Sequence, residues 1–304
     1  MPAWHPGRGV LGLIGMAAGT ASPSPYCLTG DTDGRWPLVL ASPHSGRHYP
    51  AALLAGTRLT LAQLRRAEDA LVDALLDGIA GVPVLAATHA RCWIDLNRRP
   101  DELDPALFDG PLAVPVALTD RVQAGLGVIP RLAGLGLEIH ARPLPAAEAA
   151  ARLTGLHAPW PARIAGLMAA ACQRHGSALL IDCHSMPSPA GPWPPQIVLG
   201  DCHGQSAHPA IVQAIEDHFR RAGWRVARNT PYAGGHTTRA HGRPGLGLHA
   251  VQIEIDRALY LDSQRLTLHA GAGKVRAAMT ALVQRLVADW PHLAGTTGWQ
   301  EAAE

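Results

Sequence analysis

The sequence predicts an α/β fold, a three-layer α/β/α sandwich whose mixed, largely parallel central sheet carries helices on both faces. Two observations lead there. Residues 38–41 and 178–181 are short, wholly apolar runs of the kind buried on both faces of a sheet. Between such runs lie segments with apolar residues at helical spacing, so that strands and helices alternate. A third observation concerns function: each apolar run leads into a histidine, His44 or His184. In open α/β sheets the site forms beyond the carboxyl ends of the strands.

Taken in order, residues 1–35 are rich in Gly, Pro and Ser without a sustained period and are expected to be a poorly ordered leader. Residues 10–18 faintly resemble a signal peptide, and Met16 offers a second start. Residues 37–42 read as a strand ending in Pro43-His44-Ser45-Gly46. Over 60–81, Leu61, Leu64, Leu71, Val72, Leu75, Leu76 and Ile79 fall at helical spacing, with Thr60 as cap and Gly81 as stop, which predicts one long helix. Residues 82–86 and 91–95 read as strands, and 97–115 as an irregular, proline-rich stretch. Helices are expected at 120–123, 145–153 and 161–175. The strand at 178–182 should end in a polar turn holding His184. A strand at 196–199, a helix at 206–223 and strands at 224–227 and 248–255 follow, then a closing helix at 264–290. This organisation describes one domain over 36–295 with a short tail at 296–304.

Composition narrows the function. The net charge is +2 with no basic stripe, which argues against nucleic acid as a partner. No apolar run approaches the roughly 18 residues of a membrane helix. The five cysteines form no CxxC and are odd in number, so neither a disulfide framework nor a zinc knuckle is expected, and a reducing cytoplasm fits. The sequence says nothing of oligomeric state. Sixteen histidines are unusual in 304 residues and direct attention to metal or proton chemistry. His5, His157, His175, His208, His218, His269 and His292 read as loop or helix-surface residues.

GxSxG, HExxH and GxxxxGK signatures are absent. What remains is a set of polar residues in apolar settings. His44 and His184 with one carboxylate, Glu68 or Asp69, would make the usual ligand set of a hydrolytic zinc site, with Asp182 near enough to support His184. On a continuous helix Glu68 falls near the centre of the apolar stripe and Asp69 at its edge, which favours Glu68. Asn97-Arg98 offers an amide and a guanidinium fork suited to a carboxylate. Arg91 precedes it and could meet a developing oxyanion. Glu254, flanked by Ile253 and Ile255, is either a general base of raised pKa or the partner of Arg257 in a buried ion pair.

Six blocks together resemble the N-formylglutamate amidohydrolase family: Ser42-Pro43-His44-Ser45-Gly46-Arg47, Glu68-Asp69, Asp95-Leu96-Asn97-Arg98, Asp182-Cys183-His184-Ser185, Asn229 to Gly235, and Gln252-Ile253-Glu254-Ile255. They run in order from about Pro37 to Asp262. The resemblance implies a zinc carboxypeptidase-like α/β sandwich and a single zinc ion. It implies zinc on His44, Asp69 and His184, a preference that shifts the acid from Glu68 to Asp69. It implies Glu254 as general base, Arg91 at the substrate carbonyl, and Asn97 with Arg98 on the carboxylate of an N-acyl amino acid substrate. The family's first histidine and acid normally share one short motif, whereas here 25 residues separate His44 from Asp69. His236, after the double glycine, is a candidate substrate contact. Hydrolysis of N-formyl-L-glutamate is the expected activity; the alternatives are another N-acyl amino acid or small peptide, and a zinc-dependent binding protein without catalysis.

Overall fold

The computed structural model describes residues 23–296. The expectations for the signal-like stretch, Met16, His5 and residues 297–304 lie outside the described residues. Among those described, no helix is long and apolar enough to cross a membrane.

Seven strands form the central sheet, in the spatial order Tyr26–Thr29, Val84–Ala87, Leu38–Ser42, Ala178–Met186, Leu248–Asp256, Ile197–Gly200 and Val226–Arg228. The second to fifth of these run parallel. Tyr26–Thr29 closes one edge antiparallel, and the last two strands oppose the central four at the other. Because a strand turns alternate side chains to opposite faces, one apolar run supplies two cores. Leu38, Leu40, Leu179 and Ile181 meet the helices Pro209–Arg221 and Ala272–Thr296 through Ile211, Ile215, Phe219, Met279 and Leu282. Val39, Ala41 and Leu180 meet Trp160, Ile164, Leu167 and Met168 of the helix Pro159–His175 on the other side. Each fully buried Leu or Ile contributes about 1.5–3 kcal/mol, and the apolar runs within these strands place that burial in the middle of three layers. The α/β/α sandwich with a mixed, largely parallel sheet is thus the architecture the sequence predicts.

Several elements differ from expectation. The strand Tyr26–Thr29 lies within the segment expected as a leader, so residues 23–35 do not fit that description; its alternation is too short to stand out beside the surrounding Gly and Pro. The 91–95 segment is a turn, with the amides of Trp93 and Ile94 donating to Ala90 O. The closing helix begins at Ala272; Leu266 and Leu268 belong instead to a small hairpin of Leu261–Asp262 with Thr267–Leu268. His157, expected at a surface, is 3% exposed.

The largest difference is the 60–81 helix, which is broken. Leu61–Leu64 is helical, Arg65–Ala67 is one 3-10 turn, and Val72–Leu75 is a separate short helix. Between them Glu68 is extended and Leu71 adopts φ 63°, ψ 20°, a left-handed conformation uncommon for leucine. The apolar spacing survives because the two pieces serve different cores: Leu64 packs with Leu53, Cys92 and Ile139, whereas Val72 and Leu75 join the sheet. The expected cap is present, Thr60 and Gln63 forming a reciprocal capping box. Thr60→Ala should therefore cost about 1 kcal/mol in chemical denaturation.

Candidate active site

The break in the helix builds the site. Leaving the helix at Glu68 lets the Asp69 amide donate to His44 O at 3.0 Å, tying that segment to the turn after strand Leu38–Ser42. The Asp69 carboxylate then reaches two imidazoles: Oδ2 lies 3.3 Å from His44 Nδ1 and 2.8 Å from His184 Nδ1. All three side chains are buried, and their potential ligand atoms lie within 4.8 Å of one another. His184 sits inside its strand rather than in a following turn, since the strand continues to Met186.

Each imidazole is anchored from behind. His44 Nε2 is 2.7 Å from Asp95 Oδ1, and His184 Nε2 is 3.1 Å from Asp182 Oδ2. An imidazole donating its Nε2–H to a carboxylate turns the lone pair of Nδ1 inward, the arrangement of metal-binding histidines. Two such lone pairs facing a carboxylate oxygen repel unless a cation lies among them. The set therefore suits a metal ion. In the protein alone the His184 imidazole is held well above the ordinary histidine range: burial opposes its charge, and Asp182 and Asp69 outweigh burial. The Asp69 and Asp95 carboxyls are held well below theirs. Burial would raise both, but hydrogen bonds from His184 and His44 prevail at Asp69, and Arg91 with His44 at Asp95.

Glu68 plays a different part. It is 1% exposed, yet its carboxylate accepts from Arg65 Nε at 3.1 Å and from the Tyr49 hydroxyl, in an ion pair separate from the cluster. Glu68 thus has the partner its burial requires, but the helix that would place it in an apolar stripe ends at this residue. Arg257 likewise does not pair with Glu254. It donates to Glu68 O at 2.7 Å, Asp69 Oδ1 at 3.1 Å and Ser185 Oγ, and so fixes Asp69 from the side away from the imidazoles.

Glu254 stands beside His184 on the next parallel strand, directly opposite it in register. It is 6% exposed, and burial raises its pKa from 4.5 to about 7 against the opposing pull of His184. Gln252 Nε2 donates to its Oε1 at 2.7 Å, which leaves Oε2 without a donor among the described residues. Arg91 donates through Nε to Asp95 Oδ2 at 2.9 Å. Arg98 donates through Nε to Leu126 O and through Nη1 to Asn97 O, while His157 Nε2 lies 2.8 Å from Arg98 O. The Asn97 side chain is engaged at both ends, its Oδ1 accepting from Thr237 N and its Nδ2 donating to Asp182 Oδ2 at 3.5 Å, beside the imidazole of His184. Asn97 thus braces the cluster rather than offering a free amide.

These groups line one cavity of about 720 Å³ beyond the carboxyl ends of the parallel strands. Its wall contains His44, Asp69, Arg91, Asn97, Arg98, His184 and Glu254, so of the residues singled out for chemistry all but Glu68, Asp182 and His236 meet there. Asp95, Gln252 and Tyr232 also belong to the wall. Asp95 was visible in the sequence only as a neighbour of arginines, because nothing local indicates that its carboxylate reaches back 51 residues to His44.

The double glycine before His236 has a steric reason. A Cβ on Gly235 would lie 2.4 Å from Asn97 Nδ2. Gly235→Ala must push Asn97 off His184 and Asp182. Displacement of this order near a reacting centre costs about 100-fold in rate, and the circular dichroism of the folded protein should be unchanged.

An α/β sandwich that gathers imidazoles, carboxylates and arginines at the ends of its parallel strands has the groups of a hydrolytic enzyme. A family model for N-formylglutamate amidohydrolase matches residues 36–261, and the chain belongs to that family. The N-formylglutamate deformylase of Pseudomonas aeruginosa is 30% identical over 266 residues, covering 84% of this chain and 94% of the relative. That of Pseudomonas putida is 28% identical over 75% of this chain and 83% of its own length. The crystal structure of N-formylglutamate amidohydrolase from Ralstonia eutropha superposes with a TM-score of 0.82 at 32% identity, covering 90% of this chain and all of that one.

Proposed function

We propose that the protein hydrolyses the formyl amide of N-formyl-L-glutamate to formate and L-glutamate, with one zinc ion held by His44, Asp69 and His184. The observation that carries the reading is the convergence of two inward-turned imidazoles and one carboxylate beside a buried glutamate, in a chain similar to proteins named N-formylglutamate deformylase. Zinc suits two nitrogens and one oxygen and, when bound, supplies Lewis acidity and lowers the pKa of water toward about 7.

The residues divide the remaining work. Glu254 accepts the proton of the attacking water at its carboxylate and returns it to the leaving nitrogen, the role its raised pKa fits. Arg91, fixed to Asp95 through Nε, directs its terminal nitrogens to the carbonyl oxygen as that atom gains charge. Arg98 presents Nη2 to the α-carboxylate of the substrate, its other nitrogens being fixed by backbone carbonyls. Asn97 serves the same site by holding Asp182, the carboxylate behind His184.

Supplied with zinc, the purified protein should release formate and glutamate in equal amounts from N-formyl-L-glutamate. Exhaustive chelation should abolish release, and zinc should restore it. Release that persists after verified metal removal, or none from any N-formyl amino acid with zinc present, would sink the reading.

A further inference from the structure

Five arginines line the cavity: Arg66, Arg91, Arg98, Arg121 and Arg257. Three are bound to the protein, as described above. Arg66 and Arg121 are different: both are exposed, and neither has a hydrogen-bond or ion-pair partner among the described residues. The cavity's own acids do not balance them. Asp69 is held by Arg257 and Asp95 by Arg91, and Glu254 takes the amide of Gln252. Two positive charges therefore face the cavity without a negative counterpart.

Neither stands on a strand of the central sheet. Arg66 sits on the 3-10 turn Arg65–Ala67, where its Cβ packs against the loop at Gly134. Arg121 sits on the short helix Asp120–Gln123. Both adjoin the segment containing Ala124, Leu126, Pro130, Leu132, Ala133, Gly134 and Gly136, which contributes to the cavity wall. Arginine forks match carboxylates, and exposed, unpaired ones also draw an anionic ligand inward.

Resting on the deformylase reading, we infer that Arg66 and Arg121 recognise a second carboxylate, on the substrate's side chain and remote from the scissile amide. The site then selects dianionic N-acyl amino acids, with the α-carboxylate on Arg98 and the side-chain carboxylate on the Arg66 and Arg121 rim.

The test uses two ligands that differ only in that charge, N-formyl-L-glutamate and N-formyl-L-glutamine. Zinc-loaded protein carrying Glu254→Gln, in which the amide is not cleaved, is titrated calorimetrically with each. It should bind the glutamate compound about 100-fold more tightly. Adding Arg66→Gln or Arg121→Gln should reduce that preference about tenfold each, and both together should abolish it, with affinity for the glutamine compound unchanged. A preference that survives the double change, equal weakening of both ligands, or no preference at the outset would each overturn the inference. Turnover by the unmutated protein is read separately. Discrimination without turnover refutes only the deformylase reading, and turnover with discrimination intact in the arginine variants refutes only the inference.

Discussion

Glu254→Gln should silence turnover by about 1,000-fold while leaving the metal in place. General-base groups contribute about 100- to 10,000-fold, and Glu254 is the one buried carboxylate of the cavity with no cationic partner in hydrogen-bond contact. It is not a member of the His44, Asp69, His184 cluster, so zinc content measured by atomic absorption should be unchanged. Near-normal turnover with full metal content would remove Glu254 from the reaction. The same substitution should act on stability with the opposite sign. With its pKa raised from 4.5 to about 7, Glu254 holds a proton in the folded protein that the unfolded chain has already lost. The folded state then binds more protons, and metal-free wild-type protein loses stability as pH rises from 4.5 through 7. Glutamine does not titrate. Relative to wild type, the metal-free variant should gain stability across this window and level off above it, by about 3 kcal/mol in all. Denaturation at pH 5 and pH 8 would show it; an advantage larger at pH 5 would contradict the burial argument.

Asp69→Ala should lower zinc from one ion per chain to near zero and remove activity. It should also destabilise the protein, because Arg257 loses its carboxylate partner. Breaking a buried charge pair from one side costs about 3–5 kcal/mol. His184→Ala should resemble it in metal content. Glu68→Ala is the contrasting case: it disrupts the contacts to Tyr49 and Arg65 and should cost stability, yet leave metal and most turnover intact. If metal were lost in the Glu68 variant and retained in the Asp69 variant, the acidic ligand would have to be reassigned.

These two carboxylates also show where sequence reading reaches its limit. Strands were legible because burial on both faces imposes continuous apolar runs, and His44, His184 and Glu254 were legible because they interrupt or end such runs. Asp69 was not, because a helical wheel presumes an unbroken helix. A left-handed leucine at position 71 leaves no mark in residue type. The family resemblance favoured Asp69, and the structure brings that residue to both imidazoles. Partnerships over long separations were equally invisible. Asp95 with His44 and Arg257 with Asp69 span 51 and 188 residues. Asp182, two residues before His184, was within reach of local inspection, since both sit on one strand face.

The register that sets His184 opposite Glu254 has a bearing on how this protein can change. Adjacent strands are held about 4.8 Å apart by backbone hydrogen bonds, so the spacing of ligand and base is inherited from the sheet and insulated from drift in the loops. The arginine rim, by contrast, rides on a 3-10 turn and a four-residue helix outside the sheet. Substitutions there can alter which acylated amino acid is admitted without retuning the hydrolysis itself. A laboratory search for new substrate ranges should therefore randomise the rim and leave the two strands alone.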